Sequence, residues 1–101
     1  MALDQDSSER RSEIVERLSI YGYPQCPFCR RVMDAVDALG LEIPLRDTLK
    51  DAQHRRALAD ALGRTTVPVL RIEQPDGEEI WMPESADIVR YLQARFGRSA
   101  I

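Results

Sequence analysis

With 101 residues, 44% of them hydrophobic, and a net charge of −3, the chain has room for one domain around a single modest core. The acidic balance excludes nucleic acid as a main partner, since phosphate binding needs a basic excess, and no apolar run approaches the roughly 18 residues of a membrane span. The polar start, Met1 to Arg11, lacks the apolar centre of a signal peptide, so the sequence reads as cytoplasmic, where two cysteines make a poor structural staple.

Residues 1–17 read as a tail or short helix, with Ile14, Val15 and Leu18 as a thin apolar stripe, ahead of a domain over 18–101. Ser19 to Tyr21 is a short strand leading into the Gly22-Tyr23-Pro24-Gln25 loop. A helix follows over Pro27 to Leu39. Cys26 takes its N-cap, Pro27 its N1 position, and Phe28, Val32, Val36 and Leu39 recur at helical spacing before Gly40 stops it.

Leu41 to Arg46 reads as a strand, and Pro44 puts it at a sheet edge. A second helix, about Asp51 to Leu62, is expected to bury Ala57, Leu58, Ala61 and Leu62 and to end at Gly63. Val67 to Ile72 and Glu79 to Met82 form a hairpin around Gln74-Pro75-Asp76-Gly77. Ser85 then caps a last helix to Phe96, with Ile88, Val89, Tyr91, Leu92 and Phe96 on its buried face. Trp81 is expected to pack against that helix. The fold class is α/β: a mixed four-stranded sheet flanked by helices, its first two strands parallel and its hairpin antiparallel.

Cys26-Pro27-Phe28-Cys29 opens a helix, and that position carries chemistry. Free N–H groups and the helix dipole favour a thiolate at the first cysteine, and the second lies one turn away, within reach for a disulfide. Arg30 and Arg31 add positive charge. Lowering a thiol pKa from about 8.5 to about 5 raises the thiolate fraction at pH 7 roughly 30-fold, but falling nucleophilicity offsets a similar factor. The gain comes when Cys26 leaves a mixed disulfide. A zinc site would need two more ligands, with His54 the one histidine available, so no metal is expected. Ligation of a [2Fe–2S] cluster by Cys26 from two chains and an external thiol is the alternative, and a redox-inert interaction module a third reading.

These residues resemble the glutaredoxin branch of the thioredoxin-like superfamily over about Leu18 to Phe96. Thr66-Val67-Pro68 at the start of a strand strengthens the likeness. The resemblance implies a cis Pro68 facing the cysteines and a Val67 backbone that pairs with the cysteinyl part of glutathione. Met82-Pro83-Glu84-Ser85 looks like the site in glutathione-transferase N-terminal domains and transferase-like glutaredoxins where Glu-Ser holds the γ-glutamyl end. Ser85 and the helix N-terminus suit a carboxylate, and Glu84 an ammonium.

The resemblance thus implies a thiol–disulfide oxidoreductase with Cys26 and Cys29 catalytic. Tyr23, Gln25, Phe28, Thr66, Val67, Pro68, Glu84 and Ser85 are its glutathione-binding residues, and glutathione is its reductant. Its partners would be disulfide-bearing or glutathionylated proteins, and the chain is expected to be a monomer. Lys50, Arg55 and Arg56 are candidates for the glycine carboxylate. Two departures, Tyr23 where glutaredoxins usually carry lysine and the lack of a Gly-Gly turn before the last helix, point to the transferase-like branch. That branch normally adds an all-helical domain, which this sequence does not contain.

Overall fold

The structure, a computed structural model, describes residues 17–97. The expected N-terminal helix falls almost wholly outside these residues. The first described element is β1 (Arg17–Gly22), which takes in Leu18 and extends the predicted strand at both ends. Then come α1 (Pro27–Ala38), β2 (Leu45–Asp47), α2 (Ala52–Leu62), β3 (Val69–Glu73), β4 (Glu79–Pro83) and α3 (Ser85–Phe96).

The sheet order is β2-β1-β3-β4, with β1 parallel to β2 and antiparallel to β3, and β3 antiparallel to β4. This is the expected mixed four-stranded thioredoxin-like architecture. β2 lies at an edge as Pro44 requires, but it is only three residues long. Of the predicted Leu41–Arg46 strand, residues 41–44 make no ladder beyond one bond, in which Ile20 N–H donates to Pro44 O at 2.9 Å. A proline has no N–H with which to continue it.

Alternation along the strands sends side chains to two cores. Ile20, Leu70 and Ile72 face α1 and α3, packing with Val32, Val36, Ile88 and Leu92. Tyr21 and Val69 face the other way, towards Leu58 of α2. Trp81 belongs to this second cluster and not, as expected, against the last helix. The β3–β4 register explains this: Trp81 lies opposite Arg71, whose parity is that of Val69.

Three local expectations are also corrected. Phe28 falls on the apolar spacing of α1 but is 57% exposed, because the first turn of the helix projects past the core. Ala61 is exposed, leaving Leu58 as the one fully buried residue of α2. Ser85 is the first residue of α3, and the N-cap is Glu84. The hairpin forms as read, with Gly77 at φ 95° and its N–H donating to Gln74 O at 2.9 Å.

Candidate functional site

β1 ends at Gly22 in the centre of the sheet, and the chain then turns through Tyr23–Gln25 into α1. Cys26 is the N-cap of α1 in extended backbone (φ −84°, ψ 124°), Pro27 sits in the first turn, and no acidic side chain lies there to compete for the free N–H groups. Cys26 N–H donates to Tyr23 O at 3.2 Å, which draws the loop tight against the helix start. The sulfur of Cys26 is less open than its position suggested, since the residue is 9% exposed. Cys29 is wholly buried behind it, and both are free thiols.

Gly22 makes room for that second sulfur: a Cβ there would stand 2.5 Å from Cys29 Sγ. Burial pushes the Cys29 thiol up to about 12, against a hydrogen bond from the Tyr23 backbone, and interaction with Cys26 adds to the rise. Cys29 therefore keeps its proton through the physiological range.

Beside the helix start lies a cavity of about 250 Å³ lined by Phe28, Arg64, Thr66, Val67, Pro68, Pro83, Glu84 and Ser85. Three separate segments converge there: the first turn of α1, the stretch before β3 and the β4–α3 junction. The Val67–Pro68 peptide bond is cis. Glu84 adopts φ 79° and ψ 110°, a conformation that side chains rarely take, and makes no capping hydrogen bond, while Ser85 is buried at the first position of α3.

Six of the ten residues singled out in the sequence thus share one cavity. Neither cysteine lines it, though Phe28, which lies between them in the chain, does. Tyr23 and Gln25 do not line it; the part of Tyr23 that acts is its backbone, on Cys26 and Cys29. Of the basic candidates, Arg55 donates to Thr48 O at 3.1 Å, and neither Lys50 nor Arg56 lines the cavity. Arg64 does, and was not singled out. Its signal was its place between a helix-stopping glycine and Val67-Pro68. Among the described residues no group of three or more His, Cys, Asp or Glu is placed to hold a metal ion, and no helix is long and apolar enough to cross a membrane.

The fold is that of a thioredoxin-like domain, with a cavity across the start of two helices. Residues 20–100 match the family model described as glutathione S-transferase, N-terminal domain, and the chain belongs to that family. No curated protein matches. Among solved structures, it is similar to a maleylacetoacetate isomerase from Anaeromyxobacter dehalogenans 2CP-1 with bound dicarboxyethyl glutathione and citrate. The TM-score is 0.64 at 24% identity, over 84% of this chain and 39% of that one. A glutathione transferase homologue from Drosophila mojavensis with bound glutathione gives 0.65 at 24% identity, over 82% and 36%. An epsilon-class glutathione S-transferase from the housefly, Musca domestica, gives 0.63 at 27% identity, over 82% and 37%. The chain spans about two fifths of the length of these structures.

Proposed function

We propose that the chain is a glutathione-dependent thiol–disulfide oxidoreductase of the glutaredoxin kind, acting on glutathionylated and disulfide-bearing proteins. One observation carries this reading: a cysteine caps α1 beside a cavity where the Val67–Pro68 cis bond meets Glu84 and Ser85. Relatives with bound glutathione or a glutathione conjugate support the choice of ligand.

In the leading cycle, Cys26 thiolate attacks the glutathione sulfur of a mixed disulfide. An S–S bond forms between Cys26 and glutathione, and the substrate leaves as its thiolate and takes a proton from solvent. A second glutathione thiolate then attacks the glutathione sulfur, releasing glutathione disulfide and restoring Cys26. In net, one glutathione thiol and the protein–glutathione mixed disulfide become a protein thiol and glutathione disulfide. The free N–H groups at the start of α1 favour the negative charge on Cys26 as it leaves. Val67 offers its backbone to the cysteinyl unit, and Glu84 and Ser85 take the γ-glutamyl ammonium and carboxylate. Cys29, buried and protonated, serves a dithiol route to protein disulfides and is not needed for this cycle.

The test is turnover of a glutathionylated peptide with glutathione and its NADPH-linked reductase. Cys26→Ser is expected to abolish turnover and Cys29→Ser to keep most of it. Full activity in Cys26→Ser overturns the assignment. A coloured, glutathione-dependent dimer on anaerobic purification would favour cluster binding instead.

A further inference from the structure

A mixed disulfide has two halves, and the cavity takes only one of them. It opens on the side of α1 from which Phe28 projects, where β3 and α3 begin. Arg30, two residues on, projects from the opposite side of the helix, about 200° around its axis. That side looks towards β2, the edge strand that lies beside β1 and away from β3. The turn after β2 is held there by Thr48, whose N–H donates to Gly22 O at 3.0 Å, and by Asp47, whose Oδ1 accepts from the N–H groups of Leu49 and Lys50 at 2.9 Å. So fixed, Leu49 stands 59% exposed, the most exposed large apolar side chain among the described residues. Arg30 and Lys50 are exposed on the same flank, and among the described residues neither side chain makes an ion pair or hydrogen bond.

Resting on the function proposed above, we propose that this flank docks the protein half of the mixed disulfide and selects glutathionylated proteins whose modified cysteine lies beside an apolar residue and acidic ones. With glutathione seated in the cavity, the chain bonded to it has to lie on the other side of the helix start. There Leu49 offers apolar contact on a turn that is already ordered, so little conformational freedom is lost on docking. Two cations without partners complement a negative segment, and Asp47, the carboxylate within the turn, is committed to its own N–H groups. The whole chain carries −3, so the attraction belongs to this flank and not to the overall charge. Charges at the rim of a contact act mainly on encounter, which places the preference in kcat/KM and makes it weaken as salt rises.

The test is turnover by the full chain of two glutathionylated peptides identical but for their flanks, Leu-Glu-Glu or Leu-Lys-Lys, with the cysteine–glutathione mixed disulfide as a small substrate. Each rate is divided by that of uncatalysed exchange with glutathione, which removes the effect of flanking charge on the leaving thiol. Wild type is expected to favour the acidic peptide about tenfold in kcat/KM at low salt and to lose that preference in about 1 M salt. Arg30→Glu combined with Lys50→Glu should reverse the order. Leu49→Ser should lower kcat/KM severalfold for both peptides and leave the small substrate unaffected. Equal use of the two peptides by wild type overturns the proposal, as does an order that the double variant leaves unchanged. A Leu49→Ser loss that extends equally to the small substrate makes Leu49 structural and overturns it too. Wild type that turns over none of the three overturns the proposed function as well, whereas turnover of all three without regard to flank overturns this inference alone.

Discussion

The turn that buries Cys29 begins one residue after Cys26, and Gly22 packs directly against that second cysteine. The sheet centre passes so close to Cys29 Sγ that a methyl group at Gly22 would stand 2.5 Å from it. Gly22→Ala is therefore expected to cost about 2 kcal/mol by overpacking, read from urea unfolding. The double variant with Cys29→Ala, which removes the sulfur, should recover most of that, an interaction that single variants cannot reveal. Burial also ties Cys29 to pH. In the unfolded chain the thiol ionises near its ordinary 9.0, and in the native protein only at about 12. Below pH 9 both states hold the proton and stability is untouched. Between those values the unfolded chain releases a proton that the native state keeps, so stability falls as pH rises, by at most about 1.4 kcal/mol per pH unit. Unfolding measured from pH 8 to 10.5 should show this decline in wild type and lack that component in Cys29→Ala. Both halves of the Cys-x-x-Cys pair were legible from sequence. The glycine across from it was not singled out, because the residues that meet there come from different elements.

The β4–α3 junction shows where local rules stop. A serine ahead of an apolar helical run reads as an N-cap, and the helix is indeed there. The cap is nevertheless Glu84, because β4 runs on through Pro83 and the chain must turn in one residue. Nothing in a sequence marks a non-glycine residue at φ 79°, which costs about 1–3 kcal/mol. That strain presents Glu84 and Ser85 to the cavity together. Glu84→Gly is accordingly expected to leave the protein as stable as wild type or about 1 kcal/mol more so in urea, while weakening glutathione binding severalfold in calorimetry. The start of α2 follows the ordinary rule instead. Asp51 Oδ1 accepts from Gln53 N–H at 2.9 Å, and Asp51→Ala should cost about 1 kcal/mol. Phe28 was misread for a geometric reason: helical spacing says which residues share a face, not how far along the axis the core extends.

Across the whole molecule the two sides of the sheet are unequally covered. Eight buried residues form the cluster under α1 and α3, and three form the one under α2. α2 hangs on Leu58, so Leu58→Ala is expected to cost about 3 kcal/mol. Amides of α2 should exchange hydrogen ahead of those of α1 and α3, since thin packing lowers the local opening energy. The parallel pairing of β1 with β2 and the antiparallel β3–β4 hairpin followed from the connecting helix and the turn, whereas the order β2-β1-β3-β4 had no such local signal. The core that received Trp81 had none either, because that depends on the β3–β4 register. On the thin side, Trp81 packs on Tyr21 with ring centroids 5.1 Å apart, lies under the Arg71 guanidinium at 4.9 Å, and donates to Glu79 Oε1 at 3.1 Å. It is also the only tryptophan in the chain. Its fluorescence is thus a built-in gauge of one half of the molecule: it follows the undocking of α2, and tyrosine-to-tryptophan energy transfer from Tyr21 is lost when the two rings part. An unfolding curve followed by that emission should run ahead of one followed by circular dichroism, with the gap closing only if α2 and the larger core melt as one.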